Sequence, residues 1–182
     1  MLIGLHGAAG AGKDTAADRL CDSHGFQKMA LADPIYGMVE AFLGTSVRDR
    51  PVKEGRVDWV GKSPRELLQL LGTEFGREIL GHDVWIRHLM RRISWSEAAD
   101  IVVTDVRFAN EAAAIRARGG VVVEVVRPNA LEAVSAQART HSSEFGIPDD
   151  LIDVTIVNDG SVNDLLHRVD AAISDLLAST MK

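Results

Sequence analysis

Residues 7–15 read GAAGAGKDT and follow directly on the apolar run 2–5, and no other feature narrows the possible folds so far. In the pattern GxxxxGK[ST], glycines let successive backbone N–H groups converge on phosphate oxygens. The lysine reaches the outer oxygens, and the helix that follows points its positive end at the anion. Gly7, Gly12 and Lys13 fit this pattern. The position after the lysine holds Asp14, with Thr15 one step later, so the hydroxyl that ordinarily ligates magnesium is displaced.

A chain of 182 residues with 46% hydrophobic content is long enough for one well-buried core and short for two ordinary domains, so a single domain with a mobile insertion is expected. The net charge of −6 argues against binding nucleic-acid backbones, which needs clustered cations, whereas a small anionic substrate needs only a local basic pocket. Cys21 is the only cysteine, which excludes an intramolecular disulfide and a cysteine-based zinc cluster and suits a reducing, cytoplasmic compartment. Strand-like sequence from Leu2 onward predicts no signal peptide, and no apolar run approaches a membrane span.

Short β-branched runs alternate with segments of helical period, the pattern of an α/β domain with a mainly parallel sheet. Strands are expected near 2–6, 26–30, 100–105, 121–126 and 153–157. The first helix is expected to run from the phosphate loop to His24, burying Ala16, Ala17, Leu20 and Cys21 and ending at Gly25. Asp33-Pro34 reads as an N-cap followed by proline at the first helical position, leading a helix to Leu43. The stretch 44–62, with Arg48, Arg50, Lys53, Arg56 and Lys62, has weak periodicity and reads as a mobile basic loop. Ser63 and Glu66 form a capping box, after which Leu67, Leu71, Phe75 and Ile79 make one apolar stripe, with Arg65, Gln69, Thr73 and Arg77 opposite. A helix over about 83–96 turns Trp85, Leu89 and Ile93 inward, and a last one over about 162–178 buries Leu165, Leu166, Val169, Ile173, Leu176 and Leu177.

Lys13 is placed to neutralise charge on a transferring phosphoryl group, while amides from Ala9, Gly10, Ala11 and Gly12 to Thr15 cradle the donor's phosphates. Asp14 is either a magnesium ligand or a first-turn acid favoured by the helix dipole. The apolar strand 101–104 ends in Asp105, which is either a second metal-side carboxylate at the sheet's carboxyl edge or a cap of the next helix. Arg107 leaves the same edge and meets either an anion, for which its planar fork is suited, or Glu111 at helical spacing. Arg127 and Arg139 supply the cations that a lid needs, or solvated surface charge. His141 orients a phosphate or caps a helix.

Several stretches together resemble the deoxynucleoside monophosphate kinases of bacteriophages: GKDT at the front, Leu70-Leu71-Gly72-Thr73-Glu74, and Val103-Thr104-Asp105-Val106-Arg107-Phe108. So do Glu111 and the residues to Gly119, Val125-Val126-Arg127-Pro128, Thr140-His141 and Ile156-Val157-Asn158-Asp159-Gly160-Ser161. The resemblance covers nearly the whole chain and accounts for Asp14. It implies a three-layer P-loop fold with a five-stranded parallel sheet in the order 2-3-1-4-5, ATP as phosphoryl donor and Mg2+ as cofactor. It further implies one domain over 1–182 with a monophosphate-binding region at about 33–97 and a lid at about 128–148. Carried over by position, Asp33, Arg65, Gln69, Glu74, Trp85, Asp105, Arg107 and His141 contact the deoxynucleoside monophosphate, and Asn158, Gly160 and Ser161 form the turn against the donor's adenine. Tyr36 departs from the pattern, since relatives can carry a lysine there.

The resemblance also allows a homodimer, with small nucleotides as the partners. Dephospho-coenzyme A kinase is the nearest enzyme alternative, having a similar loop and final turn. A P-loop switch that signals by loop ordering is the alternative from another class.

Overall fold

The computed structural model describes residues 1–128 and 146–180. It divides into two compact units, one of 1–29 with 96–182 and one of 30–95.

The first unit is built on β1 (Leu2–His6), β2 (Gln27–Met29), β3 (Ile101–Val103), β4 (Val121–Val126) and β5 (Val154–Val157), all parallel, in the order β2-β3-β1-β4-β5. This is the order that the resemblance implies. Parallel strands joined by crossovers need apolar cover on both faces, and β1 supplies it. Ile3 and Leu5 point to a cluster with Ala16, Ala17 and Leu20 of α1 (Lys13–His24) and Leu165, Val169 and Ile173 of α7 (Val162–Thr180). On the opposite face Gly4 lies against Ile115 of α6 (Ala109–Ala117), so close that a Cβ there would stand 2.5 Å from the Ile115 side chain.

Across the first face Arg19 of α1 donates two hydrogen bonds to Asp170 of α7, at 2.9 and 2.7 Å, and His24 lies 3.0 Å from the same carboxylate. Hydrogen bonds from Arg19 and then His24 hold the Asp170 carboxyl well below the usual carboxylate range. Cys21 and Leu176 are half-buried and pack against this cluster, Leu166 is half-buried, and Leu177 is exposed, so the outer residues of the two stripes are less covered than their periodicity suggests.

The second unit holds α2 (Asp33–Leu43), α3 (Arg50–Glu54), α4 (Pro64–Gln69) and α5 (Val84–Trp95). Helix α2 begins one residue earlier than expected. Ala32 is the N-cap, and the Asp33 carboxylate turns back to accept from the Ala30 amide at 3.0 Å.

The stretch 44–62, expected as an irregular loop, contains α3 and an antiparallel bridge between Val57 and Lys62. Contacts distant in sequence organise it: Val47 is fully buried, the rings of Phe42 and Trp59 meet at 5.3 Å with a tilt of 45°, and Glu54 pairs with Arg65. The capping box of Ser63 and Glu66 opens α4 as the sequence indicates.

From Leu70 to Leu80 the helix continues with π geometry. Within this stretch Phe75 and Ile79 are exposed and Gly76 is buried, which corrects the apolar stripe expected there. The Trp85 indole fills the space beside Gly76, where an added Cβ would lie 2.3 Å from the ring.

Gly76→Ala forces that indole out of place and is expected to lower stability by about 1–3 kcal/mol. Gly37, in the body of α2, gives the opposite expectation, because nothing lies within 4 Å of where its added methyl would stand. Gly37→Ala should raise stability by about 0.5–1 kcal/mol through helix propensity and a less disordered unfolded chain. Urea denaturation of the two variants beside the wild type reads both signs.

Candidate active site

Because every strand of the first unit runs the same way, the residues that follow the strand ends gather along one edge of the sheet. Gly7 follows β1, Asp105 and Arg107 follow β3, Arg127 follows β4 and Asn158 follows β5.

The loop leaving β1 crosses the backbone of β4 so closely that a Cβ on Gly7, whose φ is 139°, would meet the Val125 carbonyl oxygen at 2.2 Å. Only glycine fits. At its far end Gly12, with φ 108°, passes against Asn158 and Leu165, where a Cβ would lie 2.7 and 2.9 Å from their side chains. The buried Asn158 amide donates to the Ala11 carbonyl at 2.8 Å. The loop is thus fastened to β4 at its start and to the β5–α7 turn at its end. Ala9 and Gly10 lie exposed between these points, Asp14 is exposed, and Thr15 is half-buried in the first turn of α1.

Lys13 donates to the carbonyl oxygens of Gly7 and Ala8 at 2.6 and 2.8 Å. Burial pushes its ammonium pKa down and the charge of Arg107 adds to that, while Asp14 and Asp105 act the other way. Two pairs of charged groups far apart in sequence, Lys13 with Asp14 and Asp105 with Arg107, thus act on one another. A further anion beside Lys13 would stabilise its charged form.

A cavity of about 270 Å³ opens over the loop, lined among others by Gly10, Lys13, Asp14, Arg127, Asn158 and Gly160. Ser161 donates to Asp164 at 2.7 Å and accepts from its amide, capping α7, and a Cβ on Gly160 would stand 2.6 Å from the Asp164 carboxylate. The side chains of Asn158 and Ser161 are therefore engaged within the protein, while Asn158 and Gly160 both border the cavity.

Asp105 is half-buried and Arg107 exposed. Glu111, the alternative ion-pair partner for Arg107, is buried and accepts from the backbone amides of Arg107 and Phe108 at 2.8 and 3.1 Å. It fixes the turn that carries Arg107, a role with no distinct sequence signal. His6 likewise carries no signal in the sequence: its Nδ1 lies 3.0 Å from the Val106 carbonyl oxygen and ties the end of β1 to the same turn.

In the second unit Asp33 accepts from Arg92 at 2.8 Å, and Arg65 pairs with Glu54. Gln69 and Glu74 are exposed. Trp85 is buried, with its indole N–H donated to the Gly72 carbonyl at 2.8 Å. Arg139, His141 and nearly all of the lid expected at about 128–148 lie outside the described residues.

No group of three metal-ligating side chains occurs among the described residues. Magnesium bound chiefly through substrate phosphates and water needs only one or two carboxylates, and Asp14 and Asp105 beside Lys13 meet that requirement. Among the described residues no helix is long and apolar enough to cross a membrane.

Residues 56–169 match the family model described as deoxynucleotide monophosphate kinase. The chain is 30% identical to a protein of Acanthamoeba polyphaga mimivirus named as a deoxynucleotide monophosphate kinase, over 96% of this chain and 97% of that one. It is 28% identical to the deoxynucleoside-5′-monophosphate kinase of Escherichia phage T5, over 87% of this chain and 89% of that one. Among solved structures, dephospho-CoA kinase from Campylobacter jejuni superposes with a TM-score of 0.55 at 16% identity, covering 98% of each chain, a likeness of fold.

Removing the Asn158 amide orphans a buried carbonyl, so Asn158→Ala should cost about 1–3 kcal/mol in denaturant unfolding. Asn158→Asp should cost more at pH 7, since a carboxylate would then face the Ala11 carbonyl oxygen.

Proposed function

This chain belongs to the deoxynucleotide monophosphate kinase family, and on that premise we propose that it transfers the γ-phosphoryl group of ATP to a deoxynucleoside monophosphate, giving the diphosphate and ADP. The observation that carries this reading is the charge arrangement at the glycine-rich loop: Lys13 lies within the fields of Arg107, Asp14 and Asp105, over a cavity that Arg127 also lines.

Phosphoryl transfer breaks the bond between the γ-phosphorus and its bridging oxygen and forms one to an oxygen of the acceptor's phosphate. Little covalent help is needed, so the protein's part is positioning and neutralisation of charge. Amides from Ala9 to Thr15, apart from that of Ala11, which donates to the Ala8 carbonyl oxygen at 3.2 Å, hold the donor's phosphates, supported by the first-turn N–H groups of α1, which have no partner within the helix. Lys13 follows the charge on the moving group, and Arg107 and Arg127 steady it from the strand ends.

Asp14 and Asp105 are the residues that would hold Mg2+, which when bound neutralises charge on the outer phosphates. The turn at Gly160 borders the donor's adenine. For the acceptor, the region at about 33–97 offers Arg65, Gln69 and Glu74. Arg139 and His141 keep the lid-side roles read from the sequence.

An alcohol acceptor, as in dephospho-coenzyme A, must give up a proton and needs a base, whereas a monophosphate is already an anion and needs cations. The basic residues of 48–92 suit the second case. A panel of ribo- and deoxynucleoside monophosphates, with dephospho-coenzyme A beside them, assayed for ADP formation with ATP and magnesium, tests the reading. Diphosphate from at least one deoxynucleotide is expected. Turnover of dephospho-coenzyme A alone, or ATP binding without any transfer, would replace it by one of the alternatives. In the same assay Lys13→Ala and Arg107→Ala should each lower kcat more than tenfold with the unfolding midpoint little changed, and near-wild-type turnover in Arg107→Ala would remove that residue from the site.

A further inference from the structure

Three cations converge on one phenol in the second unit. The Lys53 ammonium, on α3, donates to the Tyr36 hydroxyl on α2 and lies 4.9 Å from the centre of its ring. The Arg48 guanidinium lies 4.9 Å from the same centre. Arg65, at the start of α4, is close enough for Tyr36 to influence its charge.

Two of the three have carboxylates of their own: Arg65 is paired with Glu54, and Arg48 lies 3.5 Å from Glu40. Lys53 is different. It is half-buried, and among the described residues its hydrogen bond goes to a neutral hydroxyl in place of an acid.

Gathering like charges around a neutral ring opposes folding, and cation–π attraction offsets only part of that cost. Glu40 and Glu54 answer the two guanidinium groups and Glu54 also feels the Lys53 charge, yet among the described residues the Lys53 ammonium makes its hydrogen bond to the phenol and to no carboxylate. An ammonium carries three N–H groups, of which the phenol takes one, and a hydroxyl that accepts from lysine keeps its own proton to give. Two N–H groups and one O–H, beside a guanidinium, match the oxygens of a phosphate dianion.

We infer that Lys53 and the Tyr36 hydroxyl, with Arg48 beside them, bind the phosphoryl group of the acceptor mononucleotide. This rests on the kinase reading above and adds to it a specific role for Lys53 and Arg48, which the sequence offers only among the basic residues that favour a monophosphate. Tyr36 stands where relatives can carry a lysine, and nothing in the spacing from Tyr36 to Lys53 reveals that α2 and α3 bring the Lys53 ammonium to that position.

The test compares binding of the four deoxynucleoside 5′-monophosphates with binding of the corresponding nucleosides, by calorimetry, in wild type, Lys53→Ala, Lys53→Arg and Tyr36→Phe. The wild type is expected to prefer the monophosphate at least tenfold. Lys53→Ala should shrink that ratio to below threefold, Lys53→Arg should keep most of it, and Tyr36→Phe, which retains the ring and loses the hydroxyl, should reduce it by about threefold. In turnover, Lys53→Ala should raise the KM for the deoxynucleotide tenfold or more while leaving the KM for ATP within twofold.

A ratio unchanged in Lys53→Ala overturns the inference, and so does an equal rise in both KM values. If the wild type binds monophosphates with the expected preference yet forms no diphosphate, the kinase reading fails while the anion site stands. If it binds none of them, both fall.

Discussion

A backbone amide aimed at an anion is one that no longer serves to hold its own loop in place, so a phosphate-binding loop has to be fastened by something else. Here the fastening is steric at one end and polar at the other. The Gly7 backbone rests on the Val125 carbonyl with no room for a side chain, and the Asn158 amide grips the Ala11 carbonyl at 2.8 Å. Both anchors come from strands that lie side by side with β1 or with its neighbour, so the sheet order determines the shape of the loop. The buried cluster beneath it, from Ile3 and Leu5 to Leu165 and Val169, makes that shape stiff.

Stiffness at the loop permits the electrostatics. Lys13 bears a charge that burial and Arg107 oppose and that Asp14 and Asp105 only partly relieve. Such a site favours a bound polyanion because the anion removes an existing penalty. The turn carrying Arg107 is held without using the guanidinium, through the buried Glu111 carboxylate on the backbone amides of Arg107 and Phe108. That cation is thereby presented to the site through its backbone.

Much of the first unit is legible in the sequence because its signals are local. The run 2–5 before the glycines, the β-branched strand ending in Asp105 and the stripe of α7 each declare themselves within a few residues. The second unit is less so. Helix α3 and the bridge of Val57 to Lys62 depend on Phe42 with Trp59 and Glu54 with Arg65, pairs that no periodicity links.

The stripe of Leu67, Leu71, Phe75 and Ile79 breaks within the π-helical stretch from Leu70 to Leu80, where the buried residue is Gly76, which has no side chain for a hydrophobic pattern to register. The packing of the Trp85 ring against Gly76 and the hydrogen bond from its N–H to the Gly72 carbonyl are likewise invisible to a periodicity. At the β5–α7 turn the side chains of Asn158 and Ser161 make their hydrogen bonds to the loop and in capping α7, although Asn158 borders the cavity beside Gly160. A motif names such residues without revealing which of their atoms are already engaged.

If the fastened loop grips the phosphates of a nucleotide through its amides, backbone amide NMR spectra of the wild-type protein titrated with ATP and magnesium will show it most directly. Saturable binding of one ATP per chain is expected, with the largest shifts at the amides from Ala9 to Thr15 and a smaller set near Gly160. Saturation with those amides unmoved, or no binding at millimolar ATP, would contradict it.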